Sequence, residues 1–544
     1  MPLYLGLDSS TQSLTAIVIE VSGSRRELVH EGSLSFDEAL PRYGTKNGVL
    51  PRSDPAVAVS PTVMWAEALE LMMTRITQRV PGLRRLAAIA GSAQQHGSVY
   101  MNRDSGARLE ALNPAKTLAS QVPAMLARSI SPIWMDTSTS VECREITAAV
   151  GGDSVLAART GSRAFERFTG PQIRKLFKQE RHSYLSTGSI HLVSSYLASL
   201  LAGRHAPVDP GDGSGMNLME VAEQKWWQEA LDATAPDLRG RLPAIAPSST
   251  VLGRLPQFWQ QRCNLPPARV VAWSGDNPCS LIGTGLVNEG QVAVSLGTSD
   301  TIFGPVRTPR YDPTGTGHLF GSPTGDYMTM TVFKNGSLAR QRVRDNFRLT
   351  WDGFSRALSE SPAGNGGRIL LPWFEPEITP AVATGGEHRY SLDPAAGPAN
   401  VRAIVEAQMM SMALHSRWMQ VDVKTIYATG GGSANRAILQ VMADVFGAEV
   451  YQLEVESSAA LGAALRAFHA DTLADGNEMP WTEVVSGFVE PIVESRVEPD
   501  AARHAMYQDL MKVYAACEAH ALGRGPDPAS LLATFRDRVA NAAP

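Results

Sequence analysis

The sequence predicts an α/β protein made of two related domains with a cleft between them. Three observations carry this. The chain has 544 residues, more than one hydrophobic core usually supports. Strand-like and helix-like segments alternate along its length, the pattern of a layered α/β fold and not of a bundle or a sandwich. A short pattern, in which a polar turn joins an apolar strand to a second β-rich run, occurs twice, once near the start of each half.

The first copy lies in LGLDSSTQSLTAIVIE, Leu5 to Glu20. Leu3, Leu5 and Leu7 alternate along one face and Ala16 to Val21 is β-rich, so a hairpin is expected with its turn between Asp8 and Ser13. The second copy is VAVSLGTSDTIFG, Val292 to Gly304, with Gly297, Thr298, Ser299 and Asp300 at the turn. A boundary near Asn288 then gives domains 1–288 and 289–544. Before it, an apolar strand (Val270 to Trp273) runs into SGDNPCSLIGTG. After it, VRAIVEAQMMSMALHSRWMQ reads as a long helix, with Met409, Met410 and Met412 in the core. A strand at Thr425 to Thr429 meets three glycines and then a helix whose Ile438, Val441, Met442 and Val445 share one face, with Gly447 as its C-cap. The arginines of RQRVRDNFR (Arg340, Arg342, Arg344, Arg348) read as a solvated helix face.

With 44% apolar and 19% charged residues the composition is that of an ordinary globular protein. A net charge of −5 offers no basic surface to nucleic acid. Four cysteines far apart, with no CxxC pair, argue for reduced thiols and against a zinc site or a disulfide framework. The most membrane-like run, Ile190 to Gly203, is short and contains serines, so no membrane association is expected and the cytoplasm is the expected location.

No Gly-Lys pair occurs, which excludes a Walker A loop, and no G-x-G-x-x-G follows a strand. Paired hairpin turns offer another way to hold phosphates. Backbone N–H groups and hydroxyls surround the phosphate chain, while a carboxylate such as Asp8 holds hydrated magnesium. The glycines of ATGGGSAN let backbone pass close to a flat base, because no Cβ intervenes. Taken singly, Asp276 fits a turn cap, His96 a structural histidine and Arg167 a surface arginine.

The motifs LGLDSSTQS, WSGDNPCSLIG, VSLGTSDTIF, ATGGGSANRAILQ and ESSAALGAALRA, in this order from residue 5 to about 466, resemble the motif set of the FGGY family of carbohydrate kinases, within the actin, hexokinase and Hsp70 superfamily. SAQQHGSVYM, RAFERFTGPQI and GDGSGMNLMEV are most similar to its xylulokinase branch, in particular the longer, eukaryote-like members. The resemblance implies two actin-like (ribonuclease H-like) domains and transfer of the γ-phosphoryl group of ATP to D-xylulose. Ribulose, gluconate and glycerol stand as alternative acceptors, and a nucleotide-switched binding protein as the alternative outside the family.

The same resemblance makes Asp276 the base that accepts the hydroxyl proton, with His96 and Asn277 also on the sugar and Arg167 over the sugar or the transferred phosphate. Asp8 and Thr11 then face magnesium and the β- or γ-phosphate, and Thr298 provides the second phosphate turn. Gly431, Gly432 and Asn435 lie against the adenosine and Trp351 stacks on the adenine, although Asn435 also suits a helix cap and Trp351 equally suits packing with Leu349 and Phe354. Ala93 departs from the pattern, since many relatives place Gly before the Gln. The expected ligands are ATP, magnesium and a small sugar, and the expected state is a monomer or homodimer.

Overall fold

The computed structural model describes residues 1–23, 25–453 and 457–542. Glu456, the first residue of the ESSAALGAALRA motif, lies outside them.

The opening hairpin forms as its alternation requires. Strand β1 (Leu3–Ser9) pairs antiparallel with β2 (Ser13–Ser22), from Leu3 opposite Glu20 to Ser9 opposite Leu14. β3 (Arg25–Ser35) continues the antiparallel meander. β4 (Leu86–Ala93) lies parallel to β1 on its other side. β5 (Val251–Arg254), β6 (Arg269–Val271) and the two-residue β7 (Ser274–Gly275) complete the sheet in the order β5-β6-β4-β1-β2-β3, with β7 also parallel to β4.

The second half repeats this plan. β8 (Gln291–Leu296) and β9 (Asp300–Val306) form the second hairpin, followed by β10 (His318–Gly321), β11 (Tyr327–Phe333), β12 (Thr425–Thr429), β13 (Glu449–Gln452) and β14 (Ile492–Val497). Their order is β10-β11-β9-β8-β12-β13-β14. In each half three antiparallel strands continue through the first hairpin strand into a parallel pair: β3-β2-β1-β4-β6 in one and β11-β9-β8-β12-β13 in the other. This is the two-domain α/β architecture that the repeated hairpin predicts.

Both faces of the first sheet are covered, which explains its nearly continuous apolar strands. Leu3, Leu5 and Leu7 join a core with Met64, Trp65 and Leu69 of helix α1 (Thr62–Arg79) and with Tyr196 and Leu200 of α2 (Val193–Ala202). The run Ile190 to Gly203 is thus buried in that core, and among the described residues no helix is long and apolar enough to cross a membrane. On the other face Tyr4, Ile17 and Ile19 meet Ala460, Leu461 and Ala464. Those alanines belong to a helix of the second half of the chain, Ser458–Ala474. It rides so low that a Cβ on Gly6 would stand 2.1 Å from the Ala460 carbonyl.

The same helix crosses α3 (Asp276–Gly283) at facing glycines, where a Cβ on Gly283 would meet the Ser458 carbonyl at 1.8 Å. Helix α3 sits between the two sheets. Its Ile282 joins the core under the first, and its Leu281 packs with Ala293 of the second. The residue at its N-terminus, Asp276, is thereby fixed against both halves.

The core of the second half gathers Val292, Val294 and Ile302 with Met409, Met410 and Met412, as the sequence suggests. Ile438, Val441, Met442 and Val445 are all buried and Gly447 caps their helix in the left-handed region. All four cysteines are free and buried.

Candidate active site

The first hairpin delivers Asp8 to the C-terminal edge of the first sheet. Register alone brings the neighbours together: Asp8 and Ser274 both pair with Ser92, and Ser9 and Gly275 both pair with Ala93. Asp8 and Asp276 therefore leave the ends of two parallel strands that flank β4, the edge at which open α/β sheets bind ligands. Ala93 is buried between them in extended backbone, where a glycine's freedom is not required.

The electrostatics of this pair are distinctive. Ser92 Oγ donates to Asp8 Oδ1 at 2.6 Å. Burial nevertheless raises the Asp8 carboxyl to about 6, against a small opposing effect of that bond. Asp276 is raised further, to about 7, first by burial and then by the nearby Asp8 charge, although backbone hydrogen bonds favour its ionised form. No cation is bonded to either carboxylate among the described residues. Two such oxygen donors suit a hydrated magnesium ion, which keeps several waters and needs few protein ligands. Among the described residues no group of three or more His, Cys, Asp or Glu could hold a metal by itself.

Asn277 follows in the first turn of α3. Its Nδ2 donates to Asp276 Oδ1 at 3.0 Å and to Gln95 Oε1 at 2.9 Å, so Gln95 braces the pair from the loop after β4. His96, next along that loop, has φ +70°, a sparsely populated conformation for a residue with a side chain and one that concentrates at functional sites. Its Nδ1 donates to the Gly215 carbonyl at 2.9 Å, which leaves Nε2 as an acceptor. Burial, with the Arg167 charge behind it, lowers His96 to about 3, so the ring is neutral. Gly215 in GDGSGMNLMEV makes room for the ring: a Cβ there would lie 2.5 Å from His96 Nδ1. Arg167 lies over the rings of Phe165 and Phe168 at 4.8 and 5.6 Å. Phe168 in turn packs on His96, with 4.4 Å between ring centroids. His96, Arg167, Asp276 and Asn277 thus form one connected group.

In the first hairpin turn Thr11 accepts a hydrogen bond from the half-exposed Trp134, Nε1 to Oγ1 at 2.8 Å. The second half contributes a cavity of about 620 Å³ whose lining includes Thr298, Trp351, Gly431, Gly432 and Asn435. The five residues assigned to the nucleotide from the second half thus share one space of nucleoside size. Gly431 leaves its Cβ direction empty, with nothing within 4 Å, whereas a Cβ on Gly432 would strike Leu296 at 2.8 Å. Asn435 is a helix cap as well as a wall: Oδ1 accepts from Ala437 N at 3.0 Å and Ile438 N at 3.3 Å, while Nδ2 donates to Ser355 Oγ at 2.8 Å. Trp351 is 44% exposed, with Phe354 edge-on to it and the Arg344 guanidinium 4.5 Å from its ring centre.

One expectation is overturned. Arg340 is not on a solvated face: it is 1% exposed and forms a forked ion pair with Asp300, at 2.7 and 3.0 Å, and a 2.8 Å bond to Gln408. The ion pair ties the second hairpin to the helix behind it. Ser92, Gln95, Trp134 and His318 are site neighbours that sequence reasoning does not single out, and Arg340 is one that it places on the solvated face. Only the QQHG context of Gln95 carried a signal.

Family models of the FGGY carbohydrate kinases match both halves of the chain, the N-terminal domain over residues 3–283 and the C-terminal domain over residues 292–470. The chain is 41% identical over 536 residues to the xylulose kinase of Rattus norvegicus, covering 96% of this chain and 98% of that one. It is 42% identical over 494 residues to xylulose kinase 2 of Arabidopsis thaliana, covering 86% and 87%. Among solved structures it is similar to the xylulose kinase of Rhodospirillum rubrum, with a TM-score of 0.79, 19% identity, and coverage of 96% and 99%, a match that establishes a shared fold.

Proposed function

This chain belongs to the FGGY family of carbohydrate kinases, and from that premise we propose that it phosphorylates D-xylulose, giving D-xylulose 5-phosphate and ADP. ATP is the phosphoryl donor that the family implies. The choice of D-xylulose rests on the relatives, while the catalytic reading rests on one observation: Asp8 and Asp276 converge at one sheet edge, with no Arg or Lys paired to either among the described residues, and both are raised by burial.

In the ternary complex Asp276 accepts the proton of the sugar's terminal hydroxyl as its oxygen bonds to the γ-phosphorus. The bond from that phosphorus to the β,γ-bridging oxygen breaks, and ADP leaves. A carboxyl raised toward neutrality is better matched to this transfer than one near 3.9. Neutral His96 accepts from a sugar hydroxyl through Nε2, whereas Arg167 and Asn277 fix the remaining oxygens. Thr11 and Thr298 meet the phosphates from the two hairpin turns, and Trp351, Gly431, Gly432 and Asn435 hold the adenosine. Asp8 would hold magnesium through water, and that ion would neutralise charge on the phosphates. Closure of domain 1–288 against domain 289–544 would exclude water as a competing acceptor. The free, buried cysteines support a cytoplasmic enzyme, and we assign it as a monomer or homodimer.

The test is ADP release with ATP and magnesium across D-xylulose, D-ribulose, L-ribulose, gluconate, glycerol and no sugar. Release that rises sharply with D-xylulose supports the proposal. A rise with another acceptor retains the chemistry and replaces the substrate, whereas sugar-independent hydrolysis overturns the kinase reading.

A further inference from the structure

Arg167 is a half-buried cation with no carboxylate at ion-pair distance among the described residues. Its one side-chain hydrogen-bond partner there is a histidine from the other half of the molecule: Nη2 meets His318 Nε2 at 3.4 Å. Arginine can only donate, so His318 Nε2 must accept, which places the ring proton on Nδ1. Nδ1 in turn donates to Ser162 Oγ at 2.9 Å. Burial, together with the charges of Arg167 and Arg163, keeps this ring neutral.

His318 has little freedom to do anything else. Its ring is buried and stacks on Phe320 at 5.6 Å, with Phe165 at 5.0 Å. Its strand, β10, is latched onto the first half by Leu319 N to the Gly161 carbonyl and by Gly321 N to Ser214 Oγ, each at 2.9 Å. Asn217 Nδ2 holds the Ser162 carbonyl at 3.1 Å. The proposed sugar-facing residues His96, Arg167, Asp276 and Asn277 all come from the first half, so β10 is where the second half reaches that pocket.

We propose that His318 is a positioning residue that aims Arg167 at the sugar and thereby sets sugar affinity. This deepens the sugar-kinase reading and rests on it. A carboxylate in this place would orient the guanidinium equally well but would neutralise it and occupy its donors. A neutral acceptor orients one N–H and leaves the charge and the other donors free for substrate oxygens. Phe165 and Phe168 offset part of the cost of holding that charge half-buried.

The test is steady-state kinetics of the full chain with whichever sugar the wild type uses, in His318→Phe, His318→Gln, Arg167→Met and His318→Phe/Arg167→Met. Phe retains the ring and its packing while removing both nitrogens, and Gln restores an acceptor and a donor. His318→Phe should raise the KM for sugar roughly tenfold, as expected for loss of a hydrogen bond to a charged group, and leave the KM for ATP within about twofold. His318→Gln should recover most of the loss, and in the Arg167→Met background His318→Phe should change the sugar KM by less than about twofold. Equal rises in both KM values, a Gln variant as poor as Phe, or full additivity in the double variant would overturn the inference while leaving the kinase reading intact. A wild type that phosphorylates no sugar would overturn both.

Discussion

The two hairpins share a topology and differ in how they treat a buried acid. In the first, Asp8 stands next to the end of its strand and, among the described residues, only a serine hydroxyl is bonded to its side chain. In the second, Asp300 begins a strand with both oxygens taken by Arg340. Duplication of a fold unit preserves the strand pattern and the turn, but the charge balance of each copy is free to change. A buried carboxylate with a full ion pair has its partner already and holds the hinge between hairpin and helix. One without a partner costs stability in the free protein, and in the proposed reaction that cost would be recovered when a cation and phosphates arrive. The first hairpin is thus read as chemical and the second as structural, with Thr298 on its exposed turn proposed to meet phosphate.

The largest effect that bears on this contrast is at the partner of Asp8. Asp276→Asn preserves shape and removes the proposed base, so phosphoryl transfer should fall roughly 10²–10⁴-fold while ATP binding stays within a few-fold. Turnover within tenfold of wild type would mean that the pair of raised carboxyls is not the catalytic centre.

A smaller effect sharpens the same comparison through pH. Asp8 at about 6 and Asp276 at about 7 hold protons in the folded chain that the unfolded chain releases near pH 4. The stability they contribute is therefore complete below about pH 4 and is lost as pH rises through 6 and 7. Urea midpoints of the ligand-free protein should drop over this window, by several kcal/mol in stability at about 1.4 kcal/mol per pKa unit, and Asp276→Asn should flatten the drop. Magnesium should also reduce it in the wild type.

The smallest effect lies in the second half, where the reading is of a binding wall. Trp351→Ala should raise the KM for ATP roughly threefold to tenfold, from stacking worth about 0.5–1.5 kcal/mol, with the KM for sugar unchanged. No change would return Trp351 to packing with Phe354.

Much of this layout is legible in the sequence because it is local. Both hairpins follow from alternation and a polar turn, and the strand, glycines and helix from Thr425 to Gly447 follow from periodicity and caps. The convergence of Asp8 with Asp276 is not local: it depends on parallel pairing of β4 with β1 and β7, across 84 residues in one case, and only the motif resemblance pointed to it. Arg340 was misread because its helix is polar at most positions, while the acid that draws it inward lies 40 residues earlier. The helix Ser458–Ala474 gave no sign that it would cover the first sheet. Its alanines and Gly462 permit close approach, but they do not say to what.

The most direct test of the contrast between the hairpins is to make Asp8→Asn and Asp300→Asn side by side and measure thermal stability and turnover for each. The account predicts a crossing. Asp8→Asn keeps or raises the melting temperature and loses most of its sugar phosphorylation, whereas Asp300→Asn strands a buried arginine and loses about 3–5 kcal/mol of stability. Two variants that lose stability and turnover to the same extent would contradict the division of labour between the two hairpins.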